Sequence, residues 1–180
     1  VLEEAAVSLA ELDAIVLGNG PGSFIGMRIG ASVAQGIAHG ASINSVPVSS
    51  LLAVAEEVVA TEDADRLVVA QDARMSEVYL GVFERNGNGR VQAASSERIA
   101  RSDHRVSEID AFVAAGAGWV RYPELMDANV AAICAKSDIL RPRSRYLLPA
   151  GRTDFEAGKA TLPDRLEPAY LRAKVAEKPA

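Results

Sequence analysis

Short apolar runs alternate with helical patterns over the first sixty residues of the chain. Residues 13–18 (DAIVLG) and 43–48 (INSVPV) have the length and the β-branched content of buried strands. Each run is followed by serines that can cap a helix, and the two helical patterns reach about residues 40 and 60. The order strand, helix, strand, helix predicts an α/β lobe with parallel strands.

A charged stretch at residues 61–65 (TEDAD) separates this lobe from a second set of elements. Residues 76–84 (SEVYLGVFE) alternate with the period of a strand, and residues 86–89 (NGNG) are typical of a hairpin turn. A buried strand is predicted within residues 111–118 (AFVAAGAG). We therefore expect two units, residues 1–62 and residues 63–180. The second is an α/β lobe with an antiparallel hairpin and a closing C-terminal segment.

Composition and charge narrow the class of protein. With 180 residues, of which 49% are hydrophobic and 24% charged, the chain can bury a core. It has no apolar run long enough to span a membrane, and its single cysteine can form no internal disulfide, which favours the cytoplasm. Residues 1–60 carry six acidic residues and one basic residue, Arg28. The resulting charge of −5 disfavours nucleic-acid binding by this part of the chain. A direct tRNA contact through Arg141, Arg143 and Arg145 stays open.

A glycine-rich run at residues 18–30 (GNGPGSFIGMRIG) invites comparison with phosphate-binding loops. The dinucleotide fingerprint G-x-G-x-x-G fails in both registers, since Ser23 stands at its third glycine in one and an extra residue intervenes in the other. The P-loop needs a lysine, and residues 1–60 contain none. An anion at the N-terminus of the following helix, near Arg28, stays an alternative.

Small residues continue from this run into the helix. Gly26, Gly30, Ala34 and Ala38 recur every four residues and predict a flat ridge along one helix face. Because each glycine inside a helix costs about 1 kcal/mol relative to alanine, the ridge indicates a closely packed neighbour. That neighbour belongs either to this chain or to another.

The run GPGSFIGMRIGASVAQGIA resembles the signature of the TsaB family of bacterial tRNA threonylcarbamoyladenosine biosynthesis proteins. The later runs VSSLLAVA, DARMSEVYLGVF, GAGWVRYPEL and LEPAYLR resemble further family blocks in the same order. The resemblance implies a two-lobed, actin-like (ASKHA) fold with RNase H-like lobes. Ile25 replaces the usual threonine, and the family's opening β-hairpin has no counterpart here. We therefore expect an incomplete front lobe with an exposed sheet edge.

The resemblance also implies a function. It predicts a non-catalytic subunit that binds the catalytic paralogue TsaD, together with the ATPase TsaE, for threonylcarbamoyl transfer to the adenosine beside the anticodon. Neither catalytic nor cofactor-binding residues are expected on this chain, while ATP and a metal are expected on TsaD and tRNA contact is expected to be indirect. The metal-binding His-x-x-x-His pattern of TsaD is absent, and neither His39 nor His104 has a ligand-spaced partner.

The predicted partner-binding residues lie in the glycine run and the helix that follows it. TsaD, or a second copy of this chain, is expected to contact Gly22, Ser23, Phe24, Gly26, Met27, Arg28, Gly30 and Ala34. Outside this set, Cys134 is predicted to be a packed thiol in a helix. Trp119 is assigned either to the core or to an interface.

Two enzyme classes remain as alternatives. A nucleotide hydrolase would use the cleft between the lobes, and a peptidase would need a nucleophile beside a base. No Ser/His or Cys/His arrangement is discernible in the sequence. A cluster of Asp72, Arg74 and Glu77 is predicted to be a structural ion pair or else a partner contact.

Overall fold

The computed structural model describes residues 2–171 and arranges them in two β-sheets with helices between and around them. The strands are β1 (Ala14–Gly18), β2 (Asn44–Val48), β3 (Arg66–Arg74), β4 (Glu77–Arg85), β5 (Val91–Ala93), β6 (Arg98–Arg101), β7 (Phe112–Ala115) and β8 (Ile133–Lys136). The helices are α1 (Phe24–Ala41), α2 (Ser50–Glu62), α3 (Gly118–Arg121), α4 (Pro123–Asn129) and α5 (Leu148–Glu156). Short 3-10 turns occupy Leu9–Glu11, Ser144–Leu147 and Pro163–Arg165.

The front sheet consists of β1 and β2, which pair in parallel as the alternating strand and helix order predicts. Within residues 2–171, only β2 pairs with β1, so the other edge of β1 carries no strand. On its far side, β2 forms an antiparallel bridge between Ser45 and Thr161. The expected unpaired edge is therefore present in the described part of the chain.

The second sheet has six strands. Its order is β5, β4, β3, β7, β8, and β6 pairs with β4 beside β5. β3 and β4 are antiparallel, whereas β3, β7 and β8 are parallel. The predicted hairpin at residues 86–89 joins β4 to β5, where the Asn86 amide donates to the Arg90 carbonyl at 2.8 Å.

Alternate residues of β3 divide the core between the two faces of this sheet. Val68 and Ala70 face a cluster that includes Trp119 of α3. Leu67 and Val69 face the opposite cluster, which is built largely from α2. The period-two pattern of a strand thus places helices on both faces of the sheet.

Both long helices begin at the predicted serines. The Ser23 hydroxyl accepts from the Gly26 amide at 3.3 Å at the start of α1, and Ser49, rather than Ser50, caps α2 by accepting from the Leu51 and Leu52 amides. Helix α2 packs against the six-stranded sheet, and its Ala53 contributes to the core of the front sheet. It therefore joins the two halves of the molecule.

The C-terminal part of the chain returns to the front sheet. Helix α5 packs on β1 and β2, and the approach is so close that a Cβ on Gly151 would lie 2.5 Å from Val16 Cγ1. The turn Pro163–Arg165 packs on α1. The division at residue 62 stays a prediction, but residues 144–165 pack on elements from before that division.

One element differs from the prediction. The pattern around Cys134 predicts a helix, yet residues 133–136 form β8 at the edge of the six-stranded sheet, and the Cys134 thiol is exposed. A short apolar run such as this one fits either a strand or a helix segment, because periodicity alone does not distinguish them. Among residues 2–171, no helix combines the length and the apolar character that crossing a membrane requires.

Candidate functional site

The glycine run forms a loop that is tied to two neighbouring segments. The Gly20 amide donates to the Ser50 hydroxyl at 3.2 Å, and the Ser50 amide donates to the Gly20 carbonyl at 2.7 Å. The Asn19 side chain donates to the Glu167 carbonyl at 2.8 Å. The Gly20 and Gly26 amides therefore have acceptors within the chain, so these two amides are not free to bind a phosphate.

The small-residue ridge of α1 faces inward from Gly30 onward, whereas Gly26 at its start is exposed. Ala34 and Ala38 are 4% and 0% exposed, and a Cβ on Gly30 would lie 3.6 Å from Leu17 Cδ1 of β1. The close neighbour predicted from the ridge is therefore this chain's own front sheet. Ala34 of the predicted partner-binding set is buried within this chain, and its contact with a partner stays a prediction.

The face of α1 that adjoins this ridge is apolar and exposed. Its side chains are between 40% and 68% exposed and follow one another every four residues, so that they form a continuous stripe. This apolar face of α1 consists of Ile25, Ile29, Val33 and Ile37. Gly36 and Gly40 lie in the same arc, and a Cβ on either would meet nothing within 4 Å. The sequence contains the signal for this face, because the four apolar residues each precede a small residue of the ridge by one position.

The first turn of α1 carries a stack of aromatic and cationic side chains. Arg28 Cζ lies 3.4 Å from the ring centroid of Phe24 and 5.1 Å from that of Tyr170. The two rings are 6.0 Å apart. The stack holds the C-terminal segment at Tyr170 against α1 through cation–π contacts.

A cleft of about 820 Å³ opens beside this stack. One wall contains predicted partner-binding residues of the glycine run, and the other contains the end of β3 and the start of α3. From the predicted set, the cleft is lined by Gly22, Ser23, Phe24, Gly26 and Met27. The volume lies within the range of small-molecule and peptide sites. Whether these residues contact a partner stays a prediction.

The charged residues of the cleft are mostly basic. Arg74, Arg121 and Arg141 line it together with a single carboxylate, Asp72. Arg74 pairs with Asp72 at 3.3 Å, and the Tyr122 hydroxyl donates to Asp72 at 2.8 Å. Burial acts to raise the pKa of Asp72, but these hydrogen bonds and the charges of the nearby arginines outweigh it and lower the pKa. The remaining charge of the cleft is therefore positive.

The mouth of the cleft is formed by a strained turn between β3 and β4. Arg74, Met75 and Ser76 have φ values of 64°, 55° and 56°, which L residues other than asparagine and aspartate rarely adopt. Each such residue costs of order 1 kcal/mol, and strained backbone of this kind clusters at functional sites. The turn projects Met75, which is 75% exposed, beside the cleft.

Comparison with known proteins identifies the family. A family model described as "TsaD: tRNA N6-adenosine threonylcarbamoyltransferase" matches residues 1–155. The "tRNA threonylcarbamoyladenosine biosynthesis protein TsaB" of Escherichia coli (strain K12) is 33% identical over 182 residues, which cover 99% of this chain and 78% of that protein. The chain belongs to the TsaB family. The TsaB of Haemophilus influenzae is 30% identical over 97% of this chain and 76% of its own length.

A solved structure gives the same family and fold. The crystal structure of a Pseudomonas aeruginosa protein "with similarity to peptidase YEAZ" superimposes with a TM-score of 0.87 at 31% identity. The match covers 95% of this chain and 79% of that one. The predicted TsaB-type, two-lobed α/β fold of the actin-like class is confirmed.

In this TsaB family member, the three arginines of residues 141–145, predicted above as a candidate tRNA contact, have different surroundings. Arg141 lines the cleft, whereas Arg143 forms an ion pair with Glu57 of α2 at 2.9 Å. The Glu57 side chain is 3% exposed, so Arg143 compensates a buried charge. Arg145 is exposed. The three arginines are therefore exposed but have different neighbours, and a direct tRNA contact through them stays a prediction.

The residues considered for catalysis lie on separate elements. His39 is near the end of α1, and Cys134 is on β8. His104 follows β6 and contacts Arg98 of that strand. The described residues include no group of three or more His, Cys, Asp or Glu side chains that could hold a metal ion. Trp119 is a core residue, because it is 1% exposed and its indole donates to the Val68 carbonyl at 3.0 Å.

Asp72 has charged and hydrogen-bonding neighbours from two elements, and a partner contact at this cluster stays a prediction. Asp72 and Arg74 form the structural ion pair that the sequence suggests. Arg121 and Tyr122, which sequence reasoning missed, complete the surroundings of Asp72. Arg121 and Tyr122 reach Asp72 because α3 packs closely on β3. Gly118 permits this approach, since a Cβ at its position would lie only 2.9 Å from the Ala70 carbonyl carbon.

Proposed function

We propose that this chain is a non-catalytic subunit of tRNA threonylcarbamoyladenosine biosynthesis that acts by binding TsaD. Membership of the TsaB family supports the pathway, because curated relatives that cover nearly the whole chain carry that name. The apolar face of α1 supports the binding role. It is the observation on which the proposal rests.

A helix face of this kind favours packing against another helix. Ile25, Ile29, Val33 and Ile37 form ridges at four-residue spacing, and Gly36 and Gly40 leave room beside them for a partner's side chains. Contiguous exposed apolar patches on a protein surface mark interaction sites.

The proposal assigns the chemistry to the partner. TsaD would hold ATP and the metal, TsaE would act with the pair, and tRNA would be contacted only indirectly by this chain. A second copy of this chain could cover the same face of α1 before TsaD does. Homodimer and heterodimer would then compete, because one helix face cannot pack on both partners.

The test replaces an apolar residue of the face with a charged one. Val33→Asp should weaken the affinity for purified TsaD about 100-fold, since a buried, unpaired carboxylate at an interface costs roughly 3 kcal/mol. Val130→Asp is the matched control, because Val130 is similarly exposed but follows α4 in the other half of the molecule. It should change the affinity less than about twofold.

Circular dichroism of both variants reports whether the fold is intact, and sedimentation of the chain alone reports self-association. A Val33→Asp variant that is folded and still binds TsaD with unchanged affinity would overturn the proposal. Threonylcarbamoyl transfer in a reconstituted mixture of TsaD and TsaE provides the functional readout, and it should fall in parallel with binding.

A nucleotide-binding hydrolase is the second candidate. The volume and positive charge of the cleft favour it, whereas the bonded amides of Gly20 and Gly26 disfavour a phosphate cradle. Calorimetric titration of the isolated chain with ATP and magnesium separates the candidates, since micromolar binding followed by hydrolysis would support the enzyme.

A further inference from the structure

The cleft contains arginines with no ion-pair partner. In the described part of the chain, no carboxylate lies within ion-pairing distance of Arg121 or Arg141, whereas Arg74 at the mouth is matched by Asp72. Asp72, whose pKa the charge of Arg121 helps to lower, supplies one negative charge against three arginines, so the cleft keeps an excess of positive charge that attracts an anion. Arginine suits carboxylates because it can donate two parallel hydrogen bonds.

The cleft continues into the apolar face of α1. Phe24 and Gly26 line the cleft, and Ile25, which lies between them in sequence, begins the exposed stripe. A molecule that packs along the stripe therefore reaches the mouth of the cleft at the N-terminal end of α1.

The rim of the cleft is apolar and exposed. Phe24 and Tyr170 stand on one side and Met75, on its strained turn, stands on the other, with exposures of 44%, 46% and 75%. A small anion bound to the arginines would leave these side chains in water. A protein segment would cover them while its acidic groups reached the arginines, which favours a protein as the occupant.

We propose that an acidic segment of the protein partner seated on the apolar face of α1 enters this cleft and pairs its carboxylates with Arg121 and Arg141. This inference rests on the proposed function and extends it, because it adds an electrostatic contact to the apolar one. The uncompensated positive charge would give specificity and faster association, since the chain as a whole carries a net charge of −5.

The experiment reverses the two charges and measures binding to TsaD. The double variant Arg121→Glu/Arg141→Glu should weaken the affinity by about 10- to 100-fold and flatten its dependence on salt concentration. The control Arg66→Glu/Arg105→Glu makes the same charge change at exposed arginines outside the cleft. It should alter the affinity less than about threefold.

A second variant, Arg121→Gln/Arg141→Gln, keeps the test informative if charge reversal disturbs folding, and circular dichroism monitors both. If the folded cleft variants bind TsaD as tightly as the unchanged chain while Val33→Asp does not, the cleft inference is wrong and the proposed function stands. If Val33→Asp also binds normally, the proposed function itself fails.

Two further titrations of the isolated chain distinguish other occupants. Sodium pyrophosphate and ATP probe a small-anion site, and an unmodified tRNA transcript probes RNA. Binding of either class that is lost in the cleft variants, with TsaD affinity unchanged, would assign the cleft to that ligand and overturn the inference. No binding of these probes, with weakened TsaD binding, is the expected result.

Discussion

Arg143 offers the sharpest test of how the basic cluster is used. Its guanidinium lies 2.9 Å from Oε1 of Glu57, whose side chain is 3% exposed on α2. In the described part of the chain, Oε2 of Glu57 has no hydrogen-bond partner. The substitution Arg143→Ala would therefore leave a buried carboxylate without a counter-charge.

The loss of stability expected for Arg143→Ala follows from the exposures of the Arg143 and Glu57 side chains. Removing one member of a fully buried pair costs about 3–5 kcal/mol. Because 69% of the Arg143 side chain is exposed, water can partly replace it, and we expect a loss of about 2 kcal/mol. For a chain of this length, that corresponds to a melting temperature lower by roughly 4–8 °C.

Urea and thermal unfolding, followed by circular dichroism, measure this loss. Arg145→Ala is the matched control, since Arg145 is exposed and forms no ion pair within residues 2–171, and it should change stability by less than about 0.5 kcal/mol. In a Glu57→Gln background, Arg143→Ala should cost less than about 1 kcal/mol. An equal loss with and without the Glu57 charge would refute this account of the pair.

Three further outcomes are expected. Burial raises the pKa of Glu97 despite the hydrogen bond from Ser49, so this carboxyl contributes stability that is lost as pH rises through its raised pKa. Glu97→Gln should therefore raise the melting temperature more at about pH 7 than at about pH 4, and an equal gain at both would contradict the assignment. Gly118→Ala should lower the free energy of unfolding in urea by about 1–3 kcal/mol, because the new Cβ would lie 2.9 Å from the Ala70 carbonyl carbon. A variant as stable as the unchanged chain would show that α3 can move away from β3. The Cys134 thiol should react fully with a maleimide in the native protein, and protection until denaturant is added would show that β8 is covered.

Local patterns predicted most of the elements. The strand-to-helix turn at Ser23 and the hairpin at residues 86–89 depend on residues close together in sequence, so their signals are readable in the chain. The helix predicted around Cys134 was wrong because an exposed edge strand lacks a clear period. The family resemblance supplied the two-lobed architecture, which no local pattern contains.

The candidate site was only partly predictable. The small residues of α1 indicated close packing, but two adjacent stripes, one through Gly30 and one through Ile29, both recur every four residues. Which stripe faces the sheet depends on the approach of Leu17, a tertiary contact. The pairing of Arg143 with Glu57 and the convergence of Arg121 and Arg141 likewise join segments far apart in the chain.

The return of the C-terminal segment to the front sheet has a consequence for synthesis on the ribosome. The Asn19 side chain is bonded to Glu167, which is 148 positions later, and Gln35 of α1 is bonded to the Leu166 carbonyl, which is 131 positions later. The glycine loop and α1 are translated early but acquire these bonds only when nearly all of the described chain has emerged. The six-stranded sheet should therefore complete its folding first, and the glycine loop and α1 should reach their final packing only after the C-terminal segment has docked.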